Sequence, residues 1–173
     1  MAKLIVFLGN PGIQYRQTRH NAGWIVCDHF TRSQFISDSW QTKFHALYTK
    51  HGNAILLKPQ TYMNESGIAV QEASKFYNIA PKDILVVHDD IELAFGTVRL
   101  QLGGGMGGHN GLRSIKQHIG TDQFSRLRIG IGRPPAQIQV ADFVLGRFTE
   151  LEERQLEVSL DSADKSIVQY LGT

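Results

Sequence analysis

Two stretches of the chain, KLIVFLG at residues 3–9 and DILVVHDD at 83–90, run apolar without alternation before turning polar or ending in glycine. A strand with one wet face alternates apolar and polar side chains, whereas an unbroken apolar run must be covered on both faces. Covering a sheet on both faces takes helices above and below it, and a chain of 173 residues can supply them around one core. The intervening segments meet that demand. AGWIVCDHFTRSQF (22–35) reads as a helix with Trp24, Val26, Cys27 and Phe30 inward, and NESGIAVQEASKFYNI (64–79) as a second, closed by Pro81. FHALYTKHGNAILLKP (44–59) reads as a hairpin around Gly52-Asn53. GTVRLQL (96–102) alternates, with Val98, Leu100 and Leu102 on one face and Arg99 and Gln101 on the other. GLRSIKQHIG (111–120) reads as a short helix and RLRIGIG (126–132) as an alternating strand. From Thr149 to Leu171, Leu156, Leu160, Ile167 and Leu171 recur at helical spacing. The expected fold is a single-domain three-layer α/β/α sandwich on a mixed twisted sheet, spanning residues 1–173.

Composition narrows the setting. With 42% hydrophobic and 20% charged residues, the chain is an ordinary globule rather than a disordered one. A single cysteine, Cys27, excludes an internal disulfide framework and suits a reducing compartment. The opening apolar run is too short for a signal peptide and is broken by Asn10-Pro11-Gly12, and no stretch reaches membrane-spanning length. A cytoplasmic protein without a membrane partner is expected, and nothing in the sequence calls for more than a monomer. The net charge of +2 does not by itself identify a nucleic-acid binder. Residues 99–147 nevertheless carry Arg99, Arg113, Lys116, Arg126, Arg128, Arg133 and Arg147 against Asp122 and Asp142, so that region could meet phosphates or be a solvated face.

LGGGMGGHNGL (102–112) packs six glycines around His109 and Asn110. Glycine at that density costs ordering entropy, so a loop that must turn sharply or approach a ligand is a better account than a linker. Polar residues gather after the other strand segments too: Asn10 and then His20-Asn21 after the first, Asn64 after the hairpin, His88-Asp89-Asp90 after the central one. Open α/β folds bind ligands beyond the carboxyl ends of their strands, where these residues would converge. A histidine serves as general base near neutral pH, and a carboxylate on its other nitrogen fixes the tautomer. Asparagine amides can donate to a developing oxyanion. The set points to hydrolysis with water as nucleophile, because there is no G-x-S-x-G elbow and Cys27 sits on an apolar helix face.

Other readings of the same residues stand beside this one. His20, His88, Asp89 and His109 could form a nitrogen and oxygen site for zinc, although no H-E-x-x-H spacing supports it. Gly103, Gly105 and Gly108 match G-x-G-x-x-G, but they follow an amphipathic strand bearing arginine rather than the buried first strand of a βαβ unit, so no cofactor and no metal is expected. Asp89 and Asp90 could simply cap the next segment. A non-catalytic RNA-binding protein is the alternative from another class.

Six stretches together resemble the bacterial peptidyl-tRNA hydrolases: LGNPGIQYRQTRHNAGW, KPQTYMNESG, VVHDDIEL, GTVRLQLGGGMGGHNGLRSI, RLRIGIGRP and DFVLGRF, in that order over residues 4 to about 148. The resemblance implies cleavage of the ester between a peptide and the 3′-terminal ribose of tRNA. It implies that His20 is the catalytic histidine and Asp89 its partner. It places Asn10, Asn64 and Asn110 at the peptide and ester, with Tyr15 and Met63 lining the cleft. Arg128 matches a position that holds a tRNA phosphate, and Arg99 and Gln101 on the neighbouring strand would share that task. The helix starting at Gly111 would offer free N–H groups to a phosphate or carbonyl. The chain departs from the pattern at Gln101, where many members carry lysine, at Met106, where many carry histidine, and in ending at Thr173.

Overall fold

The computed structural model describes residues 2–173. Its strands are β1 (Lys3–Phe7), β2 (Gln41–Lys43), β3 (Ala46–His51), β4 (Ala54–Pro59), β5 (Ile84–Asp90), β6 (Val98–Leu102) and β7 (Ser125–Gly130), in one sheet of order β2-β3-β4-β1-β5-β7-β6. The helices are α1 (Ala22–Ser33), α2 (Ser66–Phe76), α3 (Asn110–Ile119), α4 (Val140–Val144) and α5 (Glu150–Leu171). β1 pairs parallel with β4 and β5, and β5 parallel with β7. The outer pairs β2–β3, β3–β4 and β6–β7 are antiparallel, so the sheet is mixed as expected.

The unbroken apolar runs are explained by what covers them. Leu4, Val6 and Leu8 face Ala69, Val70, Leu112 and Ile115 of α2 and α3. Ile5 and Phe7 face Val26, Phe30, Ala163 and Ile167 of α1 and α5. All five residues of β1 are buried, and truncating a buried core side chain of this size typically costs ~2–5 kcal/mol. The sheet is thus the middle of three layers. In α5, Leu160 and Ile167 are buried as the periodicity predicts, while Leu156 and Leu171 pack at the margin of the same core. Thr149 starts α5 with a capping box, its hydroxyl accepting from Glu152 N while the Glu152 carboxylate accepts from Thr149 N.

Three local expectations need correction. Leu102, placed inward by the alternation of its strand, is 62% exposed. β6 is the edge of the sheet and Leu102 is its last residue, so no neighbouring strand or helix covers it. The hairpin read over 44–59 gains an extra strand, β2, joined to β3 by Phe44 and His45 with φ of 61° and 55°. Finally, α4 was not anticipated. Val140, Phe143 and Val144 do have helical spacing, but a helix of five residues is too short for that periodicity to be read.

Candidate active site

β1 lies between two parallel neighbours whose connections cross opposite faces of the sheet, α1 before β4 and α2 before β5. A crevice at such a switch point opens beyond the carboxyl ends of β1, β4 and β5. Asn10 follows β1, Met63 and Asn64 follow β4, and Asp89 ends β5. The start of α1 closes directly onto these ends. A Cβ on Gly23 would lie 2.5 Å from Leu8 O and 2.6 Å from Val87 O, so only glycine permits the approach. That approach brings the 3-10 turn Arg19–Asn21, and with it His20, against Asp89.

The Asp89 carboxylate, 2% exposed, sits between two histidines. His20 Nδ1 lies 2.9 Å from its Oδ2, and His109 Nε2 lies 2.9 Å from its Oδ1. Burial alone would raise the Asp89 pKa, but the two imidazoles outweigh it and hold the group far below the usual carboxylate range. The tautomers follow from the partners. His109 Nδ1 accepts from the backbone N–H groups of Gly111 and Leu112, so its proton is on Nε2, where it donates to Asp89. His20 donates from Nδ1 to Asp89, which leaves its Nε2 lone pair without a partner among the described residues. For His20, burial disfavours the charged form, yet the charge and hydrogen bond of Asp89 prevail and raise its pKa above the ordinary 6.5.

His88, one residue earlier, is held differently. Its Nδ1 donates to Asp89 O at 2.8 Å and its Nε2 accepts from Arg126 Nε at 3.3 Å. Burial, then His109 and Arg126, push its pKa down to about 3, so it stays neutral. Both its nitrogens are thus engaged, although its ring contributes to the lining of the cavity described below. Of the four groups in the zinc reading, His20, Asp89 and His109 have ligand atoms within 4.8 Å of one another, and His88 is not among them.

A cavity of about 370 Å³ opens over this cluster. His20, Asp89 and Asn110 contribute to its lining, with glycines 105, 107 and 108 on one side and α4 on the other. Asn10, Tyr15, Met63 and Asn64 are outside that lining, in the segments that follow β1 and β4, with Asn10 and Met63 buried. Asn10 Oδ1 accepts from Met63 N at 2.7 Å, and the Tyr15 and Tyr62 rings meet edge to face at 6.5 Å. Asn21, fully buried, exchanges two hydrogen bonds with the Asn10 backbone, donating to its carbonyl and accepting from its N–H. Asn64 and Asn110 are both exposed.

The glycine loop is gripped from below. Gln101 Nε2 donates to Gly103 O and Arg126 Nη1 to Gly105 O. Gly104 has φ +105°, and a Cβ there would lie 2.2 Å from Gln101 Nε2. Glycine at 104 therefore serves both the turn and the grip beneath it. Arg128 meets Gln101, as the alternation of the two strands predicts, with Nη1 donating to Gln101 Oε1 at 3.0 Å. Its Nε, however, donates to Asp90 Oδ2 at 2.8 Å, so its charge is already balanced in part. Arg99 lies opposite Arg128 in the register and is exposed. The free N–H groups expected at the start of α3 are not free at Gly111 and Leu112, because the His109 ring caps them.

Two residues of this site escaped the sequence reading in their roles. His109 stands among the glycines two residues before the helix expected from Gly111, and that closeness is the available signal that it caps α3. Asn21 had no such signal, because its partner is the backbone of Asn10 across the crevice.

The sequence model of the peptidyl-tRNA hydrolase family matches residues 4–173. A peptidyl-tRNA hydrolase of Sorangium cellulosum is 46% identical over 172 residues, covering 96% of this chain and 77% of that protein. One of Rhodopirellula baltica is 48% identical over 159 residues, covering 88% and 83%. The crystal structure of peptidyl-tRNA hydrolase from Acinetobacter baumannii superposes with a TM-score of 0.86 at 42% identity, covering 97% of this chain and 89% of that one. The mixed sheet with helices on both faces and the match along nearly its whole length agree, and the chain belongs to the peptidyl-tRNA hydrolase family of enzymes.

Proposed function

We propose that the chain hydrolyses the ester joining a peptide, or an N-blocked amino acid, to the 3′-terminal ribose of tRNA, with His20 as general base. The observation that carries this reading is the Nε2 lone pair of His20 beside a cavity, its Nδ1–H being held by Asp89. Water between Nε2 and the ester carbonyl loses a proton to His20 as its oxygen attacks. The proton then passes to the ribose 3′ oxygen as the ester bond breaks, giving peptide and free tRNA. Asp89 stabilises the imidazolium formed on the way, and His109, donating from Nε2, keeps the carboxylate in place. Asn110, on the cavity lining, and Asn10, whose amide oxygen is occupied by Met63 N, offer N–H donors to the carbonyl and the peptide backbone. Asn64, Tyr15 and Met63, outside the cavity lining, are assigned to the peptide that extends beyond it.

Arg128 and Gln101, with Arg99 beside them, are the proposed contact for a tRNA phosphate. Asp90 already shares the Arg128 charge, so this contact is weaker than a free cation would make. The chain works as one folding unit and as a monomer in the cytoplasm. Buried Cys27 suits a reducing compartment, and among the described residues no helix is long and apolar enough to cross a membrane.

A metal-dependent reading has one observation in its favour, the proximity of His20, Asp89 and His109 ligand atoms. Protons already account for that proximity, since His109 must carry one on Nε2. The deciding experiment is release of an N-blocked amino acid from acylated tRNA, before and after dialysis against EDTA, with unblocked aminoacyl-tRNA in parallel. Sustained turnover in EDTA with preference for the blocked substrate is the expected result. Loss restored by zinc would transfer the chemistry to a metal.

A further inference from the structure

α4, a helix of five residues with none buried, contributes Val140, Ala141 and Val144 to the lining of the cavity. So short a helix does not hold itself in place by propensity, and only Phe143 and Val144 pack at the margin of the core. The element it packs on most is the 3-10 turn Arg19–Asn21. There Arg19, only 7% exposed, makes the attachment. Its Nη1 donates to Phe143 O at 3.1 Å, its backbone N–H donates to Gly146 O at 3.0 Å, and its guanidinium lies 4.0 Å from the Phe143 ring centroid. The next residues repeat the connection: Thr18 bridges to Arg147, and Arg147 donates to Gln17. Arg19 Nη2 also donates to Glu152 Oε1 at 3.0 Å, which ties the start of α5 to the same point.

We propose that Arg19 is a positioning residue that moors α4 to the turn carrying His20 and so sets the width of the cleft for the substrate. The fork of the guanidinium suits this task, because it grips a carbonyl and a carboxylate at once while its face stacks on an aromatic ring. His20 does not depend on the mooring, since Asp89 and the Asn21–Asn10 pair fix its turn from the other side. Loss of Arg19 therefore loosens the wall without displacing the base. The proposal rests on reading this cavity as the substrate cleft, and His20→Ala tests that separately: a folded His20→Ala variant with undiminished kcat would remove the cleft reading itself.

The experiment compares kcat, KM, the pH profile and melting temperature of four variants on N-blocked aminoacyl-tRNA, together with amide hydrogen exchange along α4. Arg19→Met is expected to raise KM about tenfold, as loss of a charge-assisted contact typically does, with kcat and its pH profile retained. Phe143→Leu, which removes the ring under the guanidinium from the α4 side, should raise KM in the same direction by a smaller factor. In both, the amides of Phe143, Leu145 and Gly146 should exchange faster than those of β5. Glu152→Gln, which takes the charge out of the link to α5 while leaving an acceptor oxygen for the Thr149 cap, should lower the melting temperature with KM retained. Arg19→Lys, keeping the charge but not the fork, should restore part of the Arg19→Met loss. An unchanged KM in folded Arg19→Met overturns the proposal, as does a fall in kcat with a shifted pH profile, which would mean that Arg19 acts on His20. An equal rise in KM from Glu152→Gln would reduce Arg19 to general stability. Should Arg19→Met not fold, an unchanged KM in Phe143→Leu overturns it alone.

Discussion

His20 and His29 are each held by an aspartate, and only His20 keeps its other ring nitrogen clear of carboxylates. In the crevice, His20 Nδ1 meets Asp89 at 2.9 Å and Nε2 faces the cavity. Between α1 and α5, His29 Nδ1 meets Asp164 at 2.7 Å, but Nε2 is closed off by Glu157 at 3.0 Å and Asp161 at 3.4 Å. With a carboxylate on each nitrogen, a neutral imidazole would turn a lone pair against one of them, so His29 is satisfied as imidazolium. An aspartate on a histidine does not by itself make a base. What the other nitrogen faces decides.

The largest effect should separate the two sites outright. His20→Ala is expected to lower kcat by ~10²–10⁴-fold in steady-state hydrolysis of N-blocked aminoacyl-tRNA, with an unchanged circular dichroism spectrum. His29→Ala should leave kcat within about twofold, because its cluster touches neither the cavity nor Asp89. Comparable losses from both substitutions would break the contrast.

Asp89→Asn comes next. The amide keeps one acceptor oxygen where His20 Nδ1–H and His109 Nε2–H now share two, so one donor loses its partner or a tautomer flips. A fall in kcat of about 10²-fold, toward the lower end of the range for a general base, is expected. The corresponding Asp164→Asn should lower the melting temperature and spare turnover.

The pH profile sharpens the same point. In the proposed mechanism His20 acts in its neutral form; burial disfavours its charged form, but Asp89 outweighs burial and raises its pKa above 6.5. The kcat/KM of the wild type should therefore climb with pH through a value above 6.5. In Asp89→Asn that limb should move to lower pH, even as the plateau falls. A limb unmoved by the substitution would take His20 out of the role of titrating base.

The smallest effect belongs to His29. Burial disfavours its charge, but Glu157 and Asp164 together raise its pKa. A raised pKa contributes stability that is present in full below the unfolded value of about 6.5 and is lost as pH rises through the folded one. The difference in melting temperature between the wild type and His29→Gln should thus be largest near pH 5.5–6 and shrink toward pH 9. Its size should be only roughly 2–4 °C, since the Glu157 and Asp161 side chains are 69% and 60% exposed. A difference that grows with pH would show that His29 is not held as the cation.

The same contrast marks how far residue patterns carry. The central strands are legible because burial on both faces leaves an unbroken apolar run in Leu4–Leu8 and Ile84–Val87, a local consequence of their place in the sheet. The Gly52-Asn53 hairpin is legible because glycine accepts φ +59° there without strain. The turn from β2 to β3 is not. Phe44 and His45 adopt left-handed backbone with side chains that disfavour it, and Phe44 is kept there by its packing against Tyr48, Phe76 and Tyr77.

Residue type and spacing mark His20, Asp89 and Asn110 as groups for a strand-end crevice, and all three line one cavity, whereas Asn10, marked with them, is outside its lining. Distance along the chain hid the rest. Asp89 is 69 residues from His20 and 20 from His109, and only their meeting assigns the tautomers on which the proposed chemistry depends. The charge of Arg128 looked available in the sequence and is shared with Asp90 in the fold. His29, which the sequence places inside a helix rather than in a polar loop, is closed on both nitrogens by a helix more than a hundred residues away. Side-chain chemistry is written residue by residue, but which nitrogen keeps its lone pair is a property of neighbours that only the folded chain brings within 3 Å.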